Sequence, residues 1–358
     1  MRVLVTGGAG YVGHRLVPAL LKDGHEVIVY DALYFGNMLE PHESLVVEQG
    51  DIRDTLQLAT SMVGCDAVLH LACISNDPSV ELDESLSRTI NFEAFEPMVV
   101  AAKAAGVKRF IYCSTSSVYG VSDAPNVTED HPLVPLTLYN TYKGQCEPLL
   151  FKHQSDDFTC TVIRPSTVCG YSPRQRLDLA VNILTNLAYN TGKITVFGGE
   201  QKRPNLHIED MVDCYRLLLA APAEKIAGET FNAGARNATI MEIAHIVKGI
   251  VEEDGGSLSP VGIIRKPIHD ERSYQVNSDK IARVLGFKPK RSIETAVHDL
   301  CLAFREGKIP DPMTNDNYYN VKQMRHVWKS MYKDAPPSEF DPAKGHLSEI
   351  DMLRGAGK

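Results

Sequence analysis

The chain has 358 residues, 44% of them hydrophobic and 23% charged, and carries a net charge of −8. This size predicts one large domain with a smaller lobe, and the composition is that of a soluble globular protein. The acidic balance argues against a nucleic-acid partner, because no surplus of basic residues is available to neutralise phosphates.

The chain opens "MRVLVTGG", with no charged leader before a long apolar region. No apolar run is long enough to cross a bilayer, so neither a signal peptide nor a membrane anchor is expected. The eight cysteines form no C-x-x-C pair and mostly sit in apolar runs. Reduced, buried thiols are expected, with no disulfide and no metal site.

In chain order, strands are predicted at Arg2–Thr6, Glu26–Asp31, Leu45–Asp51, Asp66–Ala72, Arg109–Ser114 and Cys160–Ser166. Helical patterns such as Val12–Lys22 and Glu93–Ala105 lie between them. Near-continuous apolar strands alternating with helices predict an α/β fold, a doubly wound parallel sheet of Rossmann type. Residues 1–170 are read as its dinucleotide-binding domain, with segments near 205–233 returning to it. Residues 171–310 mix short strands ("ITVFGG", "ETFNAG", "VGIIRKP") with helices and are read mostly as a smaller substrate-binding lobe. Residues 311–358, with "PDPMTNDNYYN", read as a polar tail packed on the surface or partly disordered.

"VTGGAGYVGHRLV" follows the first strand and opens a helix. Gly7, Gly10 and Gly13 leave room for backbone N–H groups and the helix N-terminus to approach a pyrophosphate. The second strand ends in Asp31, whose carboxylate suits both ribose hydroxyls of adenosine and repels a 2′-phosphate. NAD rather than NADP is therefore expected. Asp51 and Ile52, after the third strand, are placed to flank adenine.

Four hydroxyls, Ser114 to Ser117, close the strand "RFIYCS". Farther on, "YNTYK" spaces Tyr139 and Lys143 four apart, on one face of a helix. A lysine beside a phenol favours the phenolate, so a lowered Tyr139 pKa and a general base for a sugar hydroxyl are expected.

Together, "TGGAGYVG", "GDIRD", "HLA", "STSSVYG", "YNTYK", "RPSTVCG" and "RPNLHIEDM" resemble the extended short-chain dehydrogenase/reductase family, in its nucleotide-sugar epimerase/dehydratase branch. The resemblance covers about residues 1–305. It implies a catalytic trio of Thr115, Tyr139 and Lys143. Around the dinucleotide it implies Tyr11, Val12, Asn37, Leu71, Ala72, Ser114 and Pro165, with Asn91 supporting the backbone of the active-site helix. For the nucleotide sugar it implies Arg203, with Lys266 and Arg272 from "RKPIHDER" as further candidates and Arg174 from "YSPRQRLD". Ser75, Asn76, Ser116, Ser117 and Thr167 are candidate sugar contacts, Thr167 replacing a common asparagine. The implied partner is a nucleotide-diphosphate sugar, and a cytoplasmic homodimer is expected. Pro97 and Pro148 fall in the two helices that would pair, where each removes a helical hydrogen bond. The expected reaction is C4 epimerisation through a keto sugar. Related 4,6-dehydratases carry aspartate and glutamate where Ser116 and Ser117 stand here. A dehydratase, a decarboxylase, a C4 oxidoreductase and a non-catalytic NAD-binding regulator are the alternatives.

Overall fold

The computed structural model describes residues 1–122, 124–254, 258, 260–267 and 273–331. Runs rich in β-branched residues form β1 (Arg2–Thr6), β2 (Glu26–Asp31), β3 (Leu45–Gln49), β4 (Ala67–His70), β5 (Arg109–Cys113) and β6 (Thr159–Pro165). After them come β7 (Thr167–Cys169), β8 (Lys193–Phe197), β9 (Lys202–His207), β10 (Glu229–Ala233), β11 (Arg236–Thr239) and β12 (Gly262–Lys266). Seven strands make one parallel sheet in the order β3-β2-β1-β4-β5-β6-β10. Thus the segment near 229–233 lies in the large sheet, beside β6. The remaining strands form two small sheets, β11-β9-β7 and β12-β8.

Helices cover both faces of the large sheet, which is why its central strands are apolar throughout. Leu4, Ile28, Val68 and Phe110 point to one face, under α2 (Thr55–Met62), α3 (Asp77–Val80), α4 (Glu84–Arg88), α5 (Phe95–Ala104) and α6 (Leu138–Phe151). Val3, Val5, Val27 and Val29 point to the other, under α1 (Gly13–Lys22), α8 (Ile208–Ala220), α9 (Ala223–Ile226) and α11 (Asp279–Leu285). A third core joins α7 (Ala180–Thr191), α10 (Ile240–Glu253) and α12 (Ile293–Arg305) to the small sheets. All eight cysteines are free thiols. Among the described residues no helix is long and apolar enough to cross a membrane.

Pro97 does not break α5. A π-helical turn, Thr89–Glu93, precedes it, and α5 restarts so that Pro97 falls in its first turn. The missing N–H costs little there. Pro148 does lie inside α6.

The expectation of a surface tail fails from Ile309 to Ser330. Ile309, Tyr318 and Tyr319 pack with Leu177 and Leu300. The helix α13 (Asn320–Met331) then sends Val321, Met324, Val327 and Trp328 into the largest core. Those four share one helical face, which the polar residues between them conceal in composition. Residues 332–358 lie outside the described set.

β1 lies between β2 and β4, with Thr6 in register with Tyr30 on one side and His70 on the other. The chain leaves this point in opposite directions, which opens a crevice above the carboxyl ends of the strands.

Candidate functional site

A cavity of about 430 Å³ fills that crevice. At one end lies the turn after β1. Gly7 has φ +72°, and a Cβ there would meet the Ala72 backbone N at 2.6 Å. A Cβ on Gly13 would meet the Gly8 carbonyl at 2.2 Å, so α1 packs on its own turn only because that side chain is missing. The N-cap of α1, Val12, supplies no side-chain acceptor. The His14 and Arg15 N–H groups turn back to the Gly10 and Val12 carbonyls, each at 3.0 Å. It is therefore the N–H groups just before them, at the start of this ten-residue helix, that suit an external anion, which the helix dipole also favours. His14 steadies the turn: its Nδ1 donates to the Gly10 carbonyl at 3.0 Å, and its Nε2 accepts the Met38 N–H at 3.1 Å. Burial lowers its pKa, in keeping with a neutral ring in that tautomer.

Asp31 closes this end. Its carboxylate accepts the Ala9 N–H at 3.0 Å and the Leu33 N–H at 2.8 Å. Burial raises its pKa despite these bonds and the nearby Arg174. Asp51 and Ile52 also line the cavity, but the Asp51 carboxylate is gripped by the Arg53 Nε at 3.0 Å to both oxygens. Tyr11, Leu71, Ala72 and Pro165 complete the wall. Asn37 is off it, with its amide oxygen accepting the Leu39 N–H. Asn91 is also off it. It clamps Ile74 from behind, accepting its N–H at 2.8 Å and donating to its carbonyl at 2.9 Å. Its side chain thus supports the loop after β4 rather than the active-site helix.

Beyond the middle of the cavity, β5 and α6 bring together Thr115, Tyr139 and Lys143. Thr137 caps α6, accepting the Asn140 N–H at 3.3 Å and donating its hydroxyl to Asp77 Oδ1 at 2.6 Å. This fixes the turn that carries Tyr139. The four hydroxyls part company here. Ser114 Oγ donates into the core, to Glu147 Oε1 at 2.6 Å. Thr115 Oγ1 pairs with Ser117 Oγ at 2.7 Å, and Ser117 donates to Asn140 Oδ1 at 2.7 Å. Ser116 is buried on the wall.

The expected low phenol pKa is not found. Burial raises the Tyr139 pKa well above its ordinary value, helped by Cys73, Cys113 and Asp77 and opposed by Arg176. The Lys143 ammonium donates to the Cys113 carbonyl at 2.7 Å and lies over the Tyr112 ring at 5.1 Å. It is held by β5 rather than by the phenol.

Ser75 and Asn76 line the wall but belong to a polar knot. Arg176 meets Asp178 through Nε at 2.8 Å and Nη2 at 3.0 Å, and reaches Ser75 Oγ at 3.2 Å. Asn76 Nδ2 donates to Asp178 at 3.3 Å, from a backbone at φ +73° and ψ 154° that only glycine adopts without strain. Thr167 and Arg203 line the cavity on the side of the small sheets, with Tyr274. Arg174 is misplaced by the sequence reading. It lies buried beside Asp31, 3.7 Å above the Phe35 ring, with Nη2 donating to Asn320 at 2.6 Å. Burial lowers its pKa to about 9. Lys266 is off the cavity, 5.9 Å over the Phe197 ring. Arg272 lies outside the described residues.

Sequence reasoning missed Asn140, Tyr274 and a buried ion pair beneath the site. Arg164 of β6 donates to Glu147 of α6 through Nε at 2.9 Å and Nη2 at 2.5 Å, and through Nη1 to Tyr119 Oη at 2.8 Å. A charge inside the otherwise apolar strand "TVIRP", and a glutamate one turn after Lys143, were the available signals. Asn320 and Met324 of α13 also line the cavity, and no local motif marks them.

Residues 3–234 match the family described as "NAD dependent epimerase/dehydratase family". A UDP-glucose 4-epimerase from Lactobacillus helveticus is 30% identical over 317 residues, 81% of this chain and 92% of that protein. A dTDP-glucose 4,6-dehydratase from Streptomyces griseus is 32% identical over 299 residues, 80% of this chain and 89% of that protein. Among solved structures, the UDP-glucuronic acid 4-epimerase from Bacillus cereus, in complex with UDP-glucuronic acid and NAD, is similar with a TM-score of 0.75. It is 27% identical, and the match covers 86% of this chain and 99% of that one.

Proposed function

Because the chain belongs to the NAD dependent epimerase/dehydratase family, we propose that this enzyme interconverts a nucleotide sugar and its C4 epimer. The residues present fit the dinucleotide: a glycine turn that a Cβ would fill, an uncapped helix N-terminus and a strand-end carboxylate, Asp31. When bound, NAD supplies the oxidant that takes a hydride from C4 and gives it back.

This chain's own residues do the rest. Tyr139 takes the proton of the C4 hydroxyl as the carbon becomes a ketone, and returns it on reduction. Thr115, held by Ser117 and Asn140, hydrogen-bonds the same sugar oxygen. Lys143, four residues farther along α6, brings a cation to the same cavity. Arg203 suits the diphosphate end, so the keto sugar stays tethered while it turns to offer its other face.

One observation carries the choice of epimerisation. Among the described residues, three carboxylates line the cavity: Asp31, Asp51 and Asp77. The first two are at the dinucleotide end, and Asp77 Oδ1 is engaged by Thr137. Ser116 and Ser117 have hydroxyls with neither the charge nor the pKa for elimination. Turnover in heavy water tests this: returned hydride leaves every carbon-bound hydrogen of the sugar unexchanged. Asp77 supports a second reading, 4,6-dehydration, because it is the one carboxylate that acts on Tyr139. Deuterium at C5 or C6 in a 4-keto-6-deoxy product would establish that reading instead.

Asp31 should also set cofactor choice. A 2′-phosphate brought against its buried carboxylate meets like-charge repulsion, so NAD is expected to bind roughly tenfold or more tighter than NADP. Calorimetric titration of stripped protein with each checks this. Equal affinities would remove Asp31 from the selection.

A further inference from the structure

The helix α13 lies beyond the part of the chain that matches the family, yet two of its side chains line the cavity. Asn320 is buried and is bonded to two separate segments, the loop after β4 and residues 174–178. Its N–H donates to Asp178 Oδ2 at 3.0 Å, and its Nδ2 donates to Ser75 Oγ at 2.8 Å. Its Oδ1 accepts from Arg174 at 2.6 Å. One turn on, Gln323 Nε2 donates to the Tyr34 carbonyl at 2.8 Å, and Met324 faces the cavity beside Tyr34 and Phe35. Arg174, which Asn320 holds, stacks on Phe35 and acts on Asp31. The Arg174 and Tyr34 contacts are at the Asp31 end, where adenosine is expected, while the Ser75 and Asp178 bonds anchor the helix to the polar knot farther along the wall.

We infer that α13 is part of the dinucleotide site: Asn320 and Met324 enclose the adenosine end and retain NAD through turnover. The assignment rests on the reading that this cleft holds NAD. The physical reason is connectivity. The loop after β2, the loop after β4 and the 174–178 segment share no regular secondary structure, and Asn320 ties two of them together while Gln323 reaches the third. A buried amide with its donors and acceptor all engaged is costly to leave half-satisfied, so opening this end breaks several bonds together. A dinucleotide enclosed this way leaves slowly. That is what hydride return to the same sugar requires, because an exchanged cofactor would strand the keto sugar.

The test compares the full chain with Asn320→Ala and Met324→Ala, each loaded with NADH. Release is followed by the loss of nicotinamide fluorescence on adding excess NAD. Trp328, the chain's single tryptophan and buried in α13, reports whether the helix stays docked. The expected result is release at least tenfold faster in both variants, with Trp328 emission still blue-shifted and UDP binding unchanged. Release at the parent rate in variants that keep their melting temperature would overturn the assignment. So would a parallel loss of UDP affinity, which would mean general collapse of the cleft. Epimerisation is judged separately, by the product the parent makes: a parent that retains NADH but yields a 4-keto-6-deoxy sugar sinks the C4 reading and leaves α13's role standing.

Discussion

Tyr139→Phe is expected to lower turnover by roughly 10²–10⁴-fold while dinucleotide content stays at the parent level. Phenylalanine fills the same space on α6, so the cavity keeps its shape and loses only the oxygen that moves the proton. Thr115 cannot substitute, since its aliphatic hydroxyl is far less acidic than a phenol and serves as a hydrogen-bonding group. The ionisation of this phenol gives a second readout. Burial raises the Tyr139 pKa, so the neutral form is favoured and phenolate appears only as pH rises above the ordinary tyrosine range. A difference ultraviolet titration, parent minus Tyr139→Phe, isolates that phenol from the other tyrosines and should place it late. With substrate in limiting amount, kcat/KM should climb with pH for the same reason. Near-parent turnover in the phenylalanine variant would remove Tyr139 from the reaction.

The second large effect lies under the site. Glu147→Ala is expected to destabilise the fold by about 3–5 kcal/mol, because it leaves the Arg164 cation buried without its partner. Both side chains are almost fully buried, so solvent does little to screen the loss. Ser114 Oγ loses its acceptor in the same step. Urea unfolding monitored by circular dichroism measures the change. The double replacement Glu147→Leu with Arg164→Met removes both charges and should recover much of the loss, since a buried pair is weak against a packed apolar substitute. Its activity is then informative. If the pair also sets the pitch of α6 beneath Tyr139 and Lys143, the double variant folds but turns over slowly. A Glu147→Ala protein as stable as the parent would show that Arg164 finds another acceptor or water.

The elements legible from the sequence are those whose signal is local. Valine-rich runs alternating with amphipathic helices dictate a sheet buried on both faces, whatever the rest of the chain does. Gly7 and Gly13 mark a turn that no side chain could occupy, and Tyr139 and Lys143 share a face because four residues complete about one helical turn. Even the choice of hydroxyls over carboxylates at 116 and 117 is a matter of residue type alone.

What tertiary structure decided is where side chains distant in sequence come to rest, and how far each is removed from water. Arg174 reads as a sugar-diphosphate ligand by charge, yet the fold buries it against Phe35 and Asp31. Ser114 reads as one hydroxyl among four, but β5 and α6 turn it toward Glu147. Lys143 does not set the Tyr139 ionisation, because desolvation outweighs a neighbour whose ammonium is spent on the Cys113 carbonyl. The polar stretch after Gly307 gives no motif at all, and only docking against the large core brings Asn320 and Met324 to the cavity. Local sequence determines backbone geometry through sterics and periodicity; burial and long-range contact determine charge state and position, and no short window of residues encodes them.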